Sequence, residues 1–351
     1  MEEPLAIVGL VRMPGISYER KKEILEGSES IASLFEGKQK VGDPKLRERI
    51  RSFKGFGVIE DELAKLGKMD VEIVSIRDNL YPPQLKRIPD PPLVLYSKGP
   101  LSLHDQMMAI VGSRKATYEG LNLAERIAET LSSLGITVVS GFARGVDSSA
   151  HRGALKGRGK TVAVFGCGID ICYPAENRHL YGEVAGGGLL LTEYAPGDPP
   201  LAHHFPARNR IIAGLSKGVL VIEASSKSGS LITARLALEY GREVLAVPGR
   251  VFDEEYKGAN NLIKQGAKLV EGMEDILMSC FPGLHLEKDE RLALDEDEDY
   301  IYSLMSLNKI HVDALAAKSG KEIKHLLVLL TRLEMKDLVR PLPGGFYLRK
   351  V

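Results

Sequence analysis

Six near-continuous apolar runs dominate the middle of the chain: MMAIV, ITVVS, TVAVF, LLLTE, GVLVIE and EVLAV. They alternate with helical stretches of about ten to fifteen residues between Met107 and about Leu277. A strand that is apolar on both sides must be covered on both faces. The alternation therefore predicts a doubly wound, Rossmann-like α/β domain, mostly parallel, with helices on either side of the sheet.

Other parts of the 351-residue chain read differently. The first 66 residues carry a helical period broken at Met13-Pro14-Gly15-Ile16 and Lys54-Gly55-Phe56-Gly57, which predicts a small helical domain. Residues 67–106 form a connector whose Pro82-Pro83 and Pro89 to Pro92 favour extended, turn-rich chain that packs on its neighbour. The α/β domain is expected over residues 107–281. Residues 282–299 are polar and end in Asp295-Glu296-Asp297-Glu298-Asp299, which suggests a flexible acidic tether. In residues 300–351, three helical periods and a hairpin turning at Pro343-Gly344-Gly345 predict a winged helix.

Lys+Arg 47 balance Asp+Glu 47, so a polyanion site must be a local patch. The three cysteines, Cys167, Cys172 and Cys280, have no paired metal-ligand spacing and read as reduced thiols. An acidic beginning without a basic n-region, and no apolar run of membrane length, point to a soluble protein of the cytoplasm.

In an open α/β sheet, ligands collect at the carboxyl ends of the strands, where helix N-termini present free N–H groups. Each loop there carries glycine, and four carry a cation: Gly112-Ser113-Arg114-Lys115, Ser140-Gly141 through Arg144-Gly145 to Asp147, Ser225 through Lys227 to Gly229-Ser230, and Pro248-Gly249-Arg250. Glycine admits close approach of a ligand, and arginine adds a bidentate contact to phosphate. The plainer alternative is that these glycines only make tight turns. No strand is followed by G-x-G-x-x-G and no P-loop is present, so neither a dinucleotide cofactor nor P-loop triphosphatase chemistry is expected.

His203-His204-Phe205-Pro206-Ala207-Arg208-Asn209-Arg210 is the second cluster. An aromatic among cations suits stacking on a base with its phosphate held alongside. Equally open is a core role for Phe205, with Arg208 and Arg210 anchoring loops. No ligand set supports a metal and no nucleophile elbow is present, so no catalytic residue is assigned. Asp147 reads as a helix N-cap before it reads as a base. In the winged helix, Lys318, Lys321, Lys324 and Arg332 lie near the recognition helix. Leu326 to Leu330 claims much of that helix for core, leaving protein contact and weak duplex binding both open.

Several of these motifs, in order, resemble the DNA-processing protein A (Smf) family. They are Ile110-Val111-Gly112-Ser113-Arg114, Ser140-Gly141 to Asp147, GCGIDICYP, FPARNRIIAGL, SGSLITA, Ala246-Val247-Pro248-Gly249 and NLIKQGA, and the resemblance covers about Leu80 to Leu277. It extends to a helical start of helix-hairpin-helix or sterile-alpha-motif type and to a terminal winged helix. What the resemblance implies is a non-enzymatic protein that binds single-stranded DNA, protects incoming strands in natural transformation and helps load RecA recombinase. Its strand contacts carry over to Arg114 and Phe205. The expected site is Gly112, Ser113, Arg114, Gly141, Arg144, Gly145, Phe205, Arg208, Asn209, Arg210, Lys227, Gly229 and Ser230. Some members have lysine three positions before the Phe, where this chain has Ala202. A homodimer contact is expected through Leu262, Ile263 and Leu269. The same sheet is also similar to that of lysine-decarboxylase-like phosphoribohydrolases. This gives an enzymatic alternative, although Ser228-Gly229-Ser230 replaces their P-G-G-x-G-T motif.

Overall fold

The computed structural model describes residues 1–39, 42–99, 106–284, 294–306, 309–336 and 338–349. They fall into two compact units, Met1–Leu284 and His285–Val351, considered separately below.

The first unit opens with helices α1 (Glu3–Arg12), α2 (Tyr18–Gly27), α3 (Ile31–Phe35), α4 (Pro44–Arg51) and α5 (Phe56–Gly67). Local chemistry sets their ends. Ser17 Oγ accepts from Arg20 N (3.3 Å) and Ser30 Oγ from Ser33 N (3.2 Å), as N-caps do, and Gly15 turns the chain at φ +72°. Leu5, Val8 and Leu10 of α1 and Leu25 of α2 belong to the same continuous core as the sheet strands. The helical start is thus not a separate body but a layer of the larger unit.

The connector is more regular than its prolines suggest. It contributes β1 (Val71–Ser75), the one-turn α6 (Pro83–Lys86) and β2 (Val94–Lys98). β1 pairs antiparallel with β2. Pro83 opens α6, where its missing N–H has no helical partner to lose, and the other prolines stand in the turns between these elements, where no ladder hydrogen bond is required.

From β3 the expected alternation follows: β3 (Met107–Val111), α7 (Tyr118–Ser133), β4 (Thr137–Ser140), α8 (Val146–Lys156), β5 (Thr161–Val164), α9 (Arg178–Gly187), β6 (Leu189–Thr192) and α10 (His204–Leu215). It continues through β7 (Gly218–Val221), α11 (Ser230–Glu239), β8 (Glu243–Ala246), α12 (Lys257–Lys264), β9 (Lys268–Leu269) and α13 (Met273–Cys280). The sheet order is β1-β2-β6-β5-β4-β3-β7-β8-β9. β3 to β9 run parallel, and β2 joins β6 antiparallel, so the connector supplies one edge. Strand order reverses between β3 and β7, which puts the ligand crevice of this architecture between the loops that follow them.

The second unit contains α14 (Glu296–Leu304), β10 (Ile310–His311), α15 (Val312–Ser319), α16 (Ile323–Met335), β11 (Val339–Leu342) and β12 (Phe346–Arg349). Leu315, Leu326, Leu329, Leu330 and Leu333 fill its core. The hairpin turns through Gly344 and Gly345, both at positive φ (81° and 75°), a combination that glycine alone adopts cheaply. The acidic run differs from the tether expected there. Asp295 caps α14 reciprocally with Glu298, through Glu298 N to Asp295 Oδ1 (2.7 Å) and Asp295 N to Glu298 Oε2 (3.0 Å). Four carboxylates in a first turn are favoured by the helix dipole. Three acids of the run are also met by cations: Asp297 by Lys321 (2.6 Å), the N-cap Asp295 by Arg332 (3.3 Å) and Glu298 by Lys336. Residues 285–293 of the expected tether lie outside the described residues.

Candidate nucleic-acid interface

At the switch point, backbone and buried polar groups form a frame. Ser113 N donates to Glu223 O (2.7 Å), joining the loops after β3 and β7. The Glu223 side chain, fully buried, accepts from Thr117 N (2.9 Å), from Thr117 Oγ1 and from Tyr256 Oη (2.9 Å). These bonds lock the β3, β7 and β8 loops together and leave Glu223 no role facing a ligand.

The loop after β4 is held from below. Asp147 sits in the first turn of α8, and its Oδ2 accepts from Gly141 N (3.2 Å) and Ala143 N (3.3 Å), staple bonds in place of the expected N-cap. Gly145, at φ +77°, would place a Cβ 2.2 Å from Ser113 O, so no other residue fits. A Cβ on Gly141 would likewise strike the Arg208 guanidinium (2.7 Å) and the Asp147 carboxylate (2.8 Å).

Arg208 is only 3% exposed. Its Nη1 donates to Gly141 O (2.7 Å) and to Val164 O, and its Nε to Asn209 Oδ1 (3.2 Å). Burial lowers its pKa to about 10 while the field of Asp147 pulls it up, so it stays charged at neutral pH. Burial raises the Asp147 carboxyl, and the Arg208 charge opposes that rise. The sequence offered Arg208 as a strand contact; the structure places it beneath the loops, bonded to backbone carbonyls. Arg210 is also engaged. It forms a two-pronged pair with Glu193, lies 3.1 Å from Asp90 Oδ2 and donates to Asp90 O (2.9 Å). Burial alone would lower its pKa, yet these carboxylates raise it overall. Both arginines have the anchoring arrangement, Arg210 to the connector.

Above this frame lies a different set. Phe205, in the first turn of α10, is half-buried, its ring 3.0 Å from where a Cβ on Gly166 would stand. The exposed Arg114 holds its guanidinium carbon 5.5 Å from the Phe205 centroid, a cation–π distance. Tyr173, 43% exposed, stands 5.5 Å from Phe205, ring to ring. It was not picked out from the sequence; its only signal was an aromatic inside GCGIDICYP on a strand-following loop. Gly112 and Ser113 line the loop beneath Arg114, and a Cβ on Gly112 would meet Val146 at 2.7 Å. Arg144 is exposed and paired with the exposed Glu176. Lys227 and Gly229 are exposed in the β7 loop, Asn209 Nδ2 donates to Gly229 O (3.4 Å), and Ser230 begins α11 with its Oγ 2.8 Å from Ser228 Oγ. Arg114 and Lys227 have no ion pair among the described residues.

Among the expected dimer residues, Leu262 packs into its own core at 8% exposure, Ile263 is half-buried against that core, and Leu269 is 41% exposed. No cluster of three His, Cys, Asp or Glu among the described residues is placed to hold a metal. No helix among them is long and apolar enough to cross a membrane.

Comparison with known proteins bears on the family and the fold. Residues 72–281 match the sequence profile of the DNA recombination-mediator protein A family, and residues 287–345 match the DprA winged helix domain. The chain is 38% identical to protein Smf of Escherichia coli strain K12, over 82% of this chain and 80% of that one. It is 46% identical to DNA processing protein DprA of Streptococcus pneumoniae, over 58% and 72%. The crystal structure of that pneumococcal protein superposes with a TM-score of 0.66 at 36% identity, covering 80% of this chain and 99% of the other. DNA processing protein A of Helicobacter pylori, solved for its single-stranded DNA binding mode, superposes with a TM-score of 0.56 at 31% identity, covering 61% and 98%. With one profile spanning most of the first unit and a second on the winged helix, this chain belongs to the DNA recombination-mediator protein A family.

Proposed function

We propose that the chain binds single-stranded DNA along the carboxyl edge of its parallel sheet, in the service of DNA processing during transformation and recombination. The observation that carries this reading is the pairing of an unneutralised Arg114 with the half-exposed face of Phe205 at the switch point. A stacking ring with a cation beside it is what a base and its phosphate require, whatever the base. Lys227, Arg144 and the loops that carry Gly112-Ser113 and the exposed Gly229 continue the phosphate track, and Tyr173 enlarges the stacking surface. Arg208 and Asp147 shape the track from beneath without touching the strand.

Hand-over of the strand to a RecA-type recombinase, and assembly as a homodimer through the Ile263–Leu269 segment, complete the proposal. The first is supported by family membership and the second by the exposure of Leu269. A non-enzymatic role fits the engagement of the buried Glu223 by three donors, which keeps that carboxylate from acting on a bound nucleotide. The deciding experiment is an oligonucleotide titration of Arg114→Ala. Loss of one charge-assisted contact should weaken binding by about 1–3 kcal/mol, with a shallower salt dependence. Unchanged affinity in a folded variant removes the site from this edge, and release of free base from nucleoside monophosphates by the wild-type protein restores the enzymatic alternative.

A further inference from the structure

Phe252 is 95% exposed and its neighbour Val251 76% exposed, at the tip of the loop after β8. Phe252 has no ring or cation contact among the described residues. The loop beneath it is nonetheless built firmly. Gly249 N donates to Asn260 Oδ1 (3.1 Å) and Asn260 Nδ2 returns a bond to Gly249 O (3.0 Å). A Cβ on Gly249 would fall 1.8 Å from the Tyr256 ring, so backbone and ring are in direct contact. Tyr256 is itself bonded to Glu223, the residue that joins the β3 and β7 loops (2.9 Å). A large apolar ring is therefore presented to water on a pinned loop.

Its position selects an occupant. β7 and β8 are parallel neighbours, so the β8 loop leaves the same edge of the sheet as the β7 loop that carries Lys227. The two loops touch through Ser226 Oγ and Glu254 Oε1 (3.2 Å). Arg250, two residues before Phe252, is exposed and has no ion pair among the described residues. Three acids follow the ring, but Glu254 is bound by Lys257 (2.5 Å). Asp253 and Glu255 disfavour phosphate on that side and leave stacking as the contribution of the ring. An exposed aromatic flanked by unpaired cations, one from each neighbouring loop, has the composition of a single-strand platform.

We propose that Phe252, with Arg250, forms a second base-stacking subsite, so that the bound strand runs from Phe205 and Arg114 past Lys227 to the β8 loop. The inference rests on the single-strand reading of the switch-point site. Phe205 lies over the loop after β5, and β5 is separated from β8 by β4, β3 and β7. Four strand spacings amount to about 19 Å, roughly three to six nucleotides depending on how stacked the strand is. The subsite therefore acts on longer strands and sets the length of single strand that one protomer covers.

The test measures binding of a trinucleotide and a twelve-nucleotide oligothymidylate to the full chain by fluorescence anisotropy, with light scattering and a thermal melt on each variant. Phe252→Ala should weaken the longer strand at least about fivefold and leave the trinucleotide, the melting temperature and the oligomeric state unchanged. Phe252→Trp should restore binding. If Phe252→Ala binds the longer strand like wild type while Arg114→Ala does not, the subsite is wrong and the switch-point site stands. If neither variant loses affinity, the underlying single-strand placement has failed. If Phe252→Ala instead changes the oligomeric state with strand binding intact, a second copy of the chain covers the ring and the proposal is overturned.

Discussion

Replacing Arg208 by Met separates a residue that holds the site from one that touches its ligand. Methionine fills much of the same space, so the loss is mainly of charge and donors. The substitution strips a donor from Gly141 O and Val164 O and removes the cation whose field offsets burial of Asp147. Arg208 and Asp147 act on each other through their fields without a direct ion pair; as with a buried pair that loses one partner, stripping the cation leaves the other charge uncompensated, at a cost of up to about 3–5 kcal/mol. At about 2–4 °C per kcal/mol for a unit of this size, the melting temperature should fall by roughly 6–20 °C. The pH dependence has a definite sign. The Asp147 carboxyl is raised by burial, so folding takes up a proton there and its contribution declines as pH rises from the ordinary 3.8 through the folded value. Without Arg208 the folded value rises further. The deficit of Arg208→Met should therefore be largest near neutral pH and shrink on acidification. Adding Asp147→Asn should recover part of it at neutral pH, a coupling that a double-mutant cycle reads directly. Circular dichroism melts from pH 5 to 8, beside oligonucleotide titrations, decide the matter. A variant that melts like wild type at neutral pH yet loses its oligonucleotide would refute the reasoning and make Arg208 a contact after all.

Phe205→Ala should cost about 1–3 kcal/mol in strand affinity with little dependence on base identity; filter binding of homopolymers checks this, and a melt shows how much of the half-buried ring is packing. Leu269→Glu should yield soluble monomers by light scattering if the Ile263–Leu269 segment is the dimer contact, and a wild-type protein already monomeric at tens of micromolar would end that idea. His151 is fully buried beside Thr161 Oγ1 (2.7 Å), and burial, followed by the Arg208 charge, lowers its pKa from 6.5 to about 3. The unfolded chain therefore binds the extra proton, and stability should drop as pH falls below about 6.5 towards 3. His151→Gln should flatten that slope in melts taken between pH 7 and 5, and an unchanged slope would remove His151 as its source.

Much of the architecture was legible in the residues because one period dominates. Six apolar runs spaced by helices leave a doubly wound sheet as the economical way to cover both faces, and glycine-bearing loops marked the carboxyl edge, where ligands collect in sheets of this kind. The connector was harder. Its prolines hide β1 and β2, because whether an extended segment joins a sheet depends on a distant strand, here β6, offering its free edge. The acidic run read as a tether, since like charges in sequence repel, whereas in the fold Lys321, Arg332 and Lys336, in and around α16, return to meet them.

Among the site residues, local chemistry told where cations and rings lie along the chain but not which way they face. Phe205, Arg208 and Arg210 share one helical stretch. The turn of α10 sends Phe205 up beside Arg114, Arg208 down beneath Gly141 and Arg210 outward to Glu193 and Asp90. In the same way Leu262, next to Ile263, turns into the core while Leu269 stays open to water. The sequence by itself determined the alternating strands, the loop chemistry and the family. Only the tertiary structure decided which cations remain free for a phosphate, because that depends on carboxylates and carbonyls brought in from strands and loops dozens of residues away.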